Sequence, residues 1–357
     1  MAVNRQANFE LLRIVAMAMI IAAHYLDKGG IIVSYGEDAS FINHFAWFIE
    51  AFCIVSLNCY VLISGYFLTD SRWKPGRILS LIAQILFYSV LVPVAMLCLG
   101  MLSLSELSLY DWITFVFPIQ SEHYWFATHY VLFYLFVPIL AAGVQKVEKR
   151  TLQTVIAMLL LFFSIGKTIL PFSLVTDTDG YHYGWLMCLF LVAAYIRMYG
   201  IPWLEKGKRG LVLYVGMCFL VWAVSASFGL LLRQTGSFSN CVEMPYTLNY
   251  FFVFLASVGL FYAFKNMRIK EGKAAGLIRK LASCTFGIYL LHEHILVRGR
   301  LMYSWLGAEK MHESWLFIPH MAGCVLLVYG VGTVVDFMRA WIFGAITDCV
   351  RKKAHNR

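Results

Sequence analysis

Residues 8–25 read NFELLRIVAMAMIIAAHY, and this stretch determines how the rest of the chain is interpreted. Ten consecutive apolar residues, 14–23, lie between Arg13 and His24. Such a run is typical of a helix in the hydrocarbon core of a bilayer, where ionisable groups are costly and usually face a protein interior or a watery cavity. The stretch therefore predicts a membrane helix that carries functional side chains.

Helical geometry relates the two ends of this stretch to each other. Residues eleven positions apart in an α-helix differ in direction by about 20° and lie roughly 16 Å apart along the axis. Arg13 and His24 therefore share one face, and Glu10, one turn before Arg13, is close enough to pair with it. In the alternative interpretation, Arg13 snorkels to the membrane surface and a neighbouring helix satisfies the hydrogen bonds of His24. The shared face favours a functional pair instead.

The composition of the whole chain predicts an all-α polytopic integral membrane protein. Of its 357 residues, 61% are hydrophobic and 14% are charged, which is more apolar surface than a soluble protein of this size could bury. About ten transmembrane helices are expected. Apolar segments long enough to span lie at about 9–26, 45–68, 78–102, 125–142, 152–172, 184–200, 211–232, 247–265, 281–302 and 316–343.

The distribution of basic residues predicts the orientation. With the N-terminus in the cytoplasm, only six of the 29 Lys and Arg residues fall outside: Lys28, Lys167, Arg233, Arg298, Arg300 and Lys310. An even number of helices then places the C-terminus in the cytoplasm too. The net charge of +9 follows from this asymmetry, so membrane lipids and no nucleic acid are predicted as partners. We expect a single domain, 1–357, with membrane helices over about 9–343 and a short basic tail, 344–357.

The predicted first cytoplasmic loop, TDSRWKPGRILSL, holds Arg72, Lys74 and Arg77 around a Pro-Gly turn. Positive-inside topology alone would explain these charges. A short tethered loop with several cations can also hold one phosphate-bearing anion, which is the functional alternative.

Four segments in order resemble the integral-membrane acyltransferase family 3. They are FELLRIVAMAMIIAAHY, LNCYVLISGYFLTDSRWKPGR, HYWFATHYVLFYLFVPIL and CTFGIYLLHEHILV. The resemblance spans most of the chain. It implies a bacterial cytoplasmic (inner) membrane enzyme without a permanently bound cofactor. Such an enzyme moves an acyl group, commonly acetyl from acetyl-CoA, to a hydroxyl of a surface or lipid-linked glycan.

The same resemblance assigns roles to residues near the first two helices. His24 matches the essential histidine of the family and Arg13 the arginine of its pair. Lys74 and Arg77 fit the paired basic residues that bind the acyl-CoA, with Lys replacing the first Arg. This replacement keeps the charge but loses a bidentate donor, for which Arg72 would compensate.

Further candidates lie later in the chain. His292 matches the family segment, but His292 and His294 point to different faces of a helix, so no metal site is predicted. Trp125, His129 and His292 are candidates for binding the substrate, as is Glu10 near Arg13. An aromatic belt at the membrane interface would also explain Trp125.

Three classes of function compete. An acyltransferase is favoured, and the rival is a secondary transporter with Arg13, His24 and Glu10 as an intramembrane relay. Against the transporter, the sequence shows neither duplicated halves nor paired helices broken by Gly or Pro. A membrane sensor or scaffold would not need the aligned Arg13 and His24. The acceptor, the acyl group and the oligomeric state stay open.

Overall fold

The computed structural model describes residues 5–33, 40–70, 74–170 and 179–355, with side chains described as far as residue 348. Within these ranges the regular secondary structure is entirely helical. The first eight α-helices are α1 Ala7–Lys28, α2 Phe41–Cys53, α3 Ser56–Leu68, α4 Pro75–Cys98, α5 Leu109–Val116, α6 Trp125–Lys146, α7 Lys149–Leu160 and α8 Gly166–Ile169. The others are α9 Tyr183–Tyr199, α10 Arg209–Thr235, α11 Ser239–Glu243, α12 Phe251–Lys265, α13 Lys273–Ser283, α14 Thr285–His292, α15 Ile295–Arg298 and α16 Phe317–His355.

The prediction of an all-α polytopic membrane protein is confirmed. In the described part of the chain, nine helical segments are long and apolar enough to cross a membrane. They are α1, α2–α3, α4, α6, α7–α8, α10, α11–α12, α13–α14 and α16 as far as Asp348. The remaining predicted segment, 184–200, is not among these nine. It corresponds to α9, an apolar helix of only 17 residues.

Two predicted spans near the C-terminal end have wrong bounds. The span predicted at 281–302 begins earlier, at Lys273, and its helix ends at His292. The helix stops there because the chain turns at Glu293 and restarts where the His294 side chain accepts a hydrogen bond from the Leu296 amide. The last helix, predicted to end at about 343, continues to His355.

Helix α1 lies at the centre of the bundle. It contacts α2, α3, α12, α13, α14 and α16, so neighbouring helices surround it along most of its length. Its apolar side chains Leu12, Ala16 and Ile21 are fully buried in these contacts. The face that carries Arg13 and His24 is left for a cavity between the surrounding helices.

Helices α10 and α12 pack closely through facing glycines. A Cβ atom at Gly259 would lie 2.7 Å from the Tyr214 amide nitrogen and 2.8 Å from the Gly210 carbonyl oxygen. A Cβ at Gly210 would likewise lie 2.7 Å from the Gly259 carbonyl oxygen. Helix association in lipid depends on such close backbone approach, because lipid provides no hydrophobic drive between helices.

Replacing Gly259 with alanine should therefore destabilise the folded protein. The added methyl must push α10 away from α12, which costs about 1–3 kcal/mol as an overpacking effect. Thermal unfolding in detergent, followed by size-exclusion chromatography after heating, measures the change. Gly216→Ala is the control, because a Cβ at Gly216, on the partner helix α10, meets nothing within 4 Å. Equal stability of the two variants would contradict this packing account.

Candidate active site

Arg13 and His24 line one cavity of about 1180 Å³ inside the helix bundle. The predicted shared face of α1 thus borders an open space. Asp27 and Lys28, at the end of α1, line the same cavity, so it follows α1 for about 21 Å from Arg13 to Asp27. We call its two ends the Arg13 end, with Arg5, Arg13, Tyr60 and Tyr130, and the Asp27 end, with Asp27, Lys28, Glu50 and Glu243.

At the Arg13 end, the arginine is held by a buried carboxylate. Arg13 Nη1 donates to Glu10 Oε1 at 2.5 Å, and Arg5 Nη1 lies 3.7 Å from Glu10 Oε2. Glu10 is only 2% exposed and does not contribute to the cavity lining among the described residues, whereas Arg13 and Arg5 do. Glu10 therefore orients two cations toward the cavity, and its predicted contact with substrate stays a prediction.

Neighbouring helices add hydroxyl groups to this end of the cavity. The Tyr60 hydroxyl on α3 donates to the Arg13 carbonyl oxygen at 2.6 Å and so joins α3 to α1. The Tyr130 hydroxyl on α6 donates to Ser64 Oγ at 3.0 Å. Tyr60, Ser64 and Tyr130 all line the cavity, so this end combines fixed cations with uncharged hydrogen-bonding groups.

The basic loop lies at the surface near this end. Lys74 precedes the first turn of α4 and Arg77 lies within it, and both side chains are exposed. Arg77 and Arg13 are both within electrostatic range of Tyr130. Lys74 and Arg77 do not line the cavity itself among the described residues. Arg72 lies outside the described residues.

Close to the Asp27 end lies a group of ionisable side chains, which we call the His24 cluster: His24, Lys28, His292 and Glu293. His24, Lys28 and Glu293 line the cavity. His24 Nδ1 lies 3.2 Å from Glu293 Oε1, and the Lys28 ammonium donates to the same carboxylate oxygen. Glu293 is 4% exposed and reaches α1 from the chain just after α14. An ion pair such as that between Lys28 and Glu293 is the usual way to stabilise a buried charge.

The geometry of this cluster distinguishes the two ring nitrogens of His24. With Nδ1 directed at Glu293, Nε2 of His24 is the nitrogen left for chemistry in the cavity, where the side chain keeps 22% of its surface exposed. His292 lies behind His24, with ring centroids 5.3 Å apart. Its Nδ1 is 2.6 Å from the Ile288 carbonyl oxygen, which can only accept, so this nitrogen carries a proton.

The His24 cluster also contains the atoms that a metal ion would need. His24, His292 and Glu293 each offer one ligand atom, and these three atoms lie within 4.8 Å of one another. Two imidazoles and one carboxylate are a common donor set for zinc. However, Lys28 donates to the same carboxylate, and its positive charge opposes a dication at that position. The sequence-based expectation of no metal stays a prediction.

Trp125 and His129 occupy the wall between the cavity and a smaller groove. Trp125 lines both spaces, whereas His129 lines only a groove of about 270 Å³ together with Glu122, Tyr181 and His182. His129 Nδ1 lies 3.6 Å from Glu122 Oε1, and its ring centroid is 4.7 Å from that of His182. The structure thus places Trp125 with His24 in the cavity and His129 behind it.

Glu293 and Lys28 are the members of the cluster that the sequence analysis did not select. A signal existed in LLHEHILV, where Glu293 is an ionisable residue beside an apolar run, and in the position of Lys28 one turn after His24. Helical spacing alone could not bring residues 24 and 293 together, because they are joined only through packing of α14 against α1.

Comparison with known protein families identifies the family of this chain. The model of the family described as Acyltransferase domain matches residues 6–337, which is nearly the whole chain. Curated proteins and solved structures give no significant match. The family match begins just before Glu10 and extends beyond Glu293, so it includes both halves of the His24 cluster. The chain is therefore a multi-pass membrane protein of the acyltransferase 3 family.

Proposed function

We propose that this protein transfers an acyl group, most simply acetyl, from acyl-CoA to a hydroxyl group of a cell-surface or lipid-linked glycan in the bacterial inner membrane. The observation that supports this reaction is the single cavity that contains both Arg13 and His24. Coenzyme A has an anionic nucleotide and a long pantetheine arm that ends in the thioester. A binding site for acyl-CoA therefore needs cations at one end for the phosphates. It also needs a catalytic side chain at the other end, as far away as the pantetheine arm is long.

The Arg13 end supplies the cations for the donor substrate. In the predicted orientation this end faces the cytoplasm, where acyl-CoA is available. The nucleotide phosphates bind outside the cavity at Lys74 and Arg77, and Arg13 and Arg5 contact the donor at the cavity entrance. The pantetheine arm then follows α1 for roughly 16 Å and brings the thioester carbonyl carbon to His24.

His24 acts as the general base in this proposal. Nε2 accepts the proton of the acceptor hydroxyl while the hydroxyl oxygen attacks the thioester carbonyl carbon. The carbon–sulfur bond breaks, and the thiolate of coenzyme A takes the proton from the imidazolium. Glu293 faces Nδ1 throughout, which holds the ring in place and stabilises its transient positive charge. In the alternative, Nε2 attacks the thioester carbonyl carbon, and the carbon–sulfur bond breaks to release the thiolate of coenzyme A. The acceptor hydroxyl then attacks the acyl group on Nε2, the bond to Nε2 breaks, and the hydroxyl proton goes to the thiolate.

Donor binding is the first test of this proposal. We expect purified protein in lipid nanodiscs to bind labelled acetyl-CoA, and Arg13→Ala and Arg77→Ala each to weaken that affinity by about 10- to 100-fold. This range corresponds to the loss of a hydrogen bond to a charged group. Lys74→Ala should have a smaller effect, because a lysine lacks the bidentate fork of an arginine.

Arg209→Ala is the matched control for these variants. Arg209 is an exposed cation at the start of α10, where it lies over the Trp203 ring and does not line the cavity. Its removal should leave acetyl-CoA affinity unchanged. Wild-type protein without measurable affinity for acetyl-CoA would overturn the proposal and favour the secondary transporter, in which the same ionisable groups move a proton or a substrate.

A further inference from the structure

Two imidazole nitrogens of the His24 cluster are buried without a hydrogen-bond partner. They are His24 Nδ1 and His292 Nε2, and neither forms a hydrogen bond with any described residue. The two rings belong to different helical segments, with centroids 5.3 Å apart. Buried polar atoms of this kind cost free energy unless something binds them, so a pair of them in one cluster points to a ligand.

His292 is arranged as a histidine that binds a metal ion. Its Nδ1 carries a proton toward the Ile288 carbonyl oxygen, 2.6 Å away, so the free lone pair is on Nε2. Histidines that bind metals usually donate their other N–H to a carbonyl or a carboxylate in this way, which fixes the ring and makes the free nitrogen a better ligand. The side chain is only 3% exposed, so bulk water has little access to this nitrogen.

The distances within the cluster are close to those of a zinc site. Zinc bonds of about 2.0–2.1 Å in a tetrahedron place neighbouring ligand atoms roughly 3.3 Å apart. His24 Nδ1 and Glu293 Oε1 are already 3.2 Å apart. Since all three ligand atoms lie within 4.8 Å of one another, the His292 nitrogen needs to approach by about 1.5 Å at most. Two imidazoles favour zinc over Mg²⁺ and Ca²⁺, which prefer oxygen ligands.

Lys28 is the group that competes with a metal ion here. Its ammonium donates to Glu293 and so supplies the positive charge that the buried carboxylate needs. The Lys28 side chain is 24% exposed, lines the cavity and has a flexible four-carbon stem, so the ammonium can turn away into the cavity. Lysine and zinc therefore exclude each other at one carboxylate, and a zinc ion here is exchangeable.

We propose that the His24 cluster is an inhibitory zinc site, in which Zn²⁺ displaces the Lys28 ammonium and binds His24 Nδ1, His292 Nε2 and Glu293 Oε1. The fourth tetrahedral position faces the cavity, which His24 and Glu293 line, and is taken by water. Zinc on Nδ1 leaves the imidazole proton on Nε2, so Nε2 no longer accepts the proton of an acceptor hydroxyl. This inhibition rests on the proposed function, whereas zinc binding does not.

A zinc titration tests the site without any acyl transfer. Zn²⁺ is titrated calorimetrically into protein without a histidine tag, in nanodiscs of zwitterionic phosphatidylcholine, and we expect one zinc ion per chain. His292→Ala should weaken this affinity by at least about 10- to 100-fold, the loss caused even by removing a hydrogen-bond partner of a metal ligand. Lys28→Met should strengthen it at least about tenfold, because an ammonium a few ångströms away repels a dication even at the dielectric constant of water. A misfolded variant could not produce this gain.

The smaller groove provides the matched control. His129 Nδ1 is also buried without a hydrogen-bond partner, and it lies 3.6 Å from Glu122 Oε1. His129→Ala should leave zinc affinity unchanged, and X-ray absorption at the zinc edge should show two imidazoles, oxygen and no sulfur. A wild type that binds no zinc, or that binds it through cysteine sulfur, would overturn the site. Loss of binding in His129→Ala, or no gain in Lys28→Met, would overturn it as well.

Acyl transfer by the zinc-loaded protein tests the inhibitory role. We expect zinc saturation to lower the rate by about 10²- to 10⁴-fold, the contribution of a general base, with acetyl-CoA affinity within about twofold of the zinc-free protein. Removal of zinc with EDTA should restore the rate. Full activity at zinc saturation would overturn the inhibitory role. Zinc binding as described, in a protein without affinity for acetyl-CoA, would support the zinc site and overturn the proposed function instead.

Discussion

His24→Ala should lower the rate of acyl transfer by about 10²- to 10⁴-fold, the usual contribution of a general base. Acetyl-CoA affinity should stay within about twofold of wild type, because the cations of the Arg13 end lie roughly 16 Å away along α1. Transfer of labelled acetyl from acetyl-CoA, measured with the purified protein and an accepted glycan, gives the rate. Loss of rate with retained affinity separates a defect in chemistry from a defect in folding.

A second histidine of the bundle provides the control. His320 on α16 lies 2.8 Å from the Tyr25 hydroxyl through Nδ1 and does not line the cavity. His320→Ala should therefore leave the rate of transfer nearly unchanged. Acyl transfer that survives in His24→Ala would contradict both the general-base mechanism and the acyl-carrier alternative. Labelled acyl group trapped on wild-type protein after acid quenching, and absent from His24→Ala, would favour the carrier.

Glu293→Gln should have the second largest effect, a fall in kcat of about 10²- to 10⁴-fold with little change in the KM for acetyl-CoA. Glutamine preserves the shape of the side chain but removes the negative charge beside His24 Nδ1, so the imidazolium loses its stabilising partner. It also leaves the Lys28 ammonium beside a neutral group. Steady-state kinetics with varied acetyl-CoA concentration separates kcat from KM.

The dependence of this effect on His24 shows whether Glu293 acts as a positioning residue. If Glu293 works through His24, the double variant His24→Ala, Glu293→Gln should be no slower than His24→Ala alone. Glu293→Asp, which keeps the charge on a shorter side chain, should recover part of the lost rate. Multiplicative losses in the double variant, or no recovery with aspartate, would indicate that Glu293 has only a structural role.

The helical architecture could be predicted from the sequence because lipid imposes a simple requirement. A segment that crosses the bilayer must satisfy its backbone internally and expose apolar side chains, so long apolar runs become helices wherever they occur. The predicted bounds of the helices were wrong where this requirement is weaker. The predicted span 281–302 includes Glu293 and His294, and there the chain turns to direct side chains inward and begins a new short helix at Ile295.

The candidate site was partly predictable for a related reason. Glu10, Arg13 and His24 lie on one helix, so their relative positions follow from helical geometry, and the Glu10–Arg13 pair is present at 2.5 Å. Glu293 and Glu50 had no such local relation to His24. Each reaches the cavity on a different helical segment, and a single sequence contains no periodicity that connects segments distant along the chain.

The sequence by itself determined the membrane class, the helical segments, and the alignment of Arg13 with His24, because these depend on local hydropathy and on the period of the helix. Only the tertiary structure decided that this face of α1 borders a cavity, that Glu293 lies beside His24 and Lys28, and that carboxylates gather at the Asp27 end. The physical reason is that such contacts depend on which helices pack against α1 and in what register. That packing is the result of many side-chain contacts together, including close backbone approach such as that between Gly210 and Gly259.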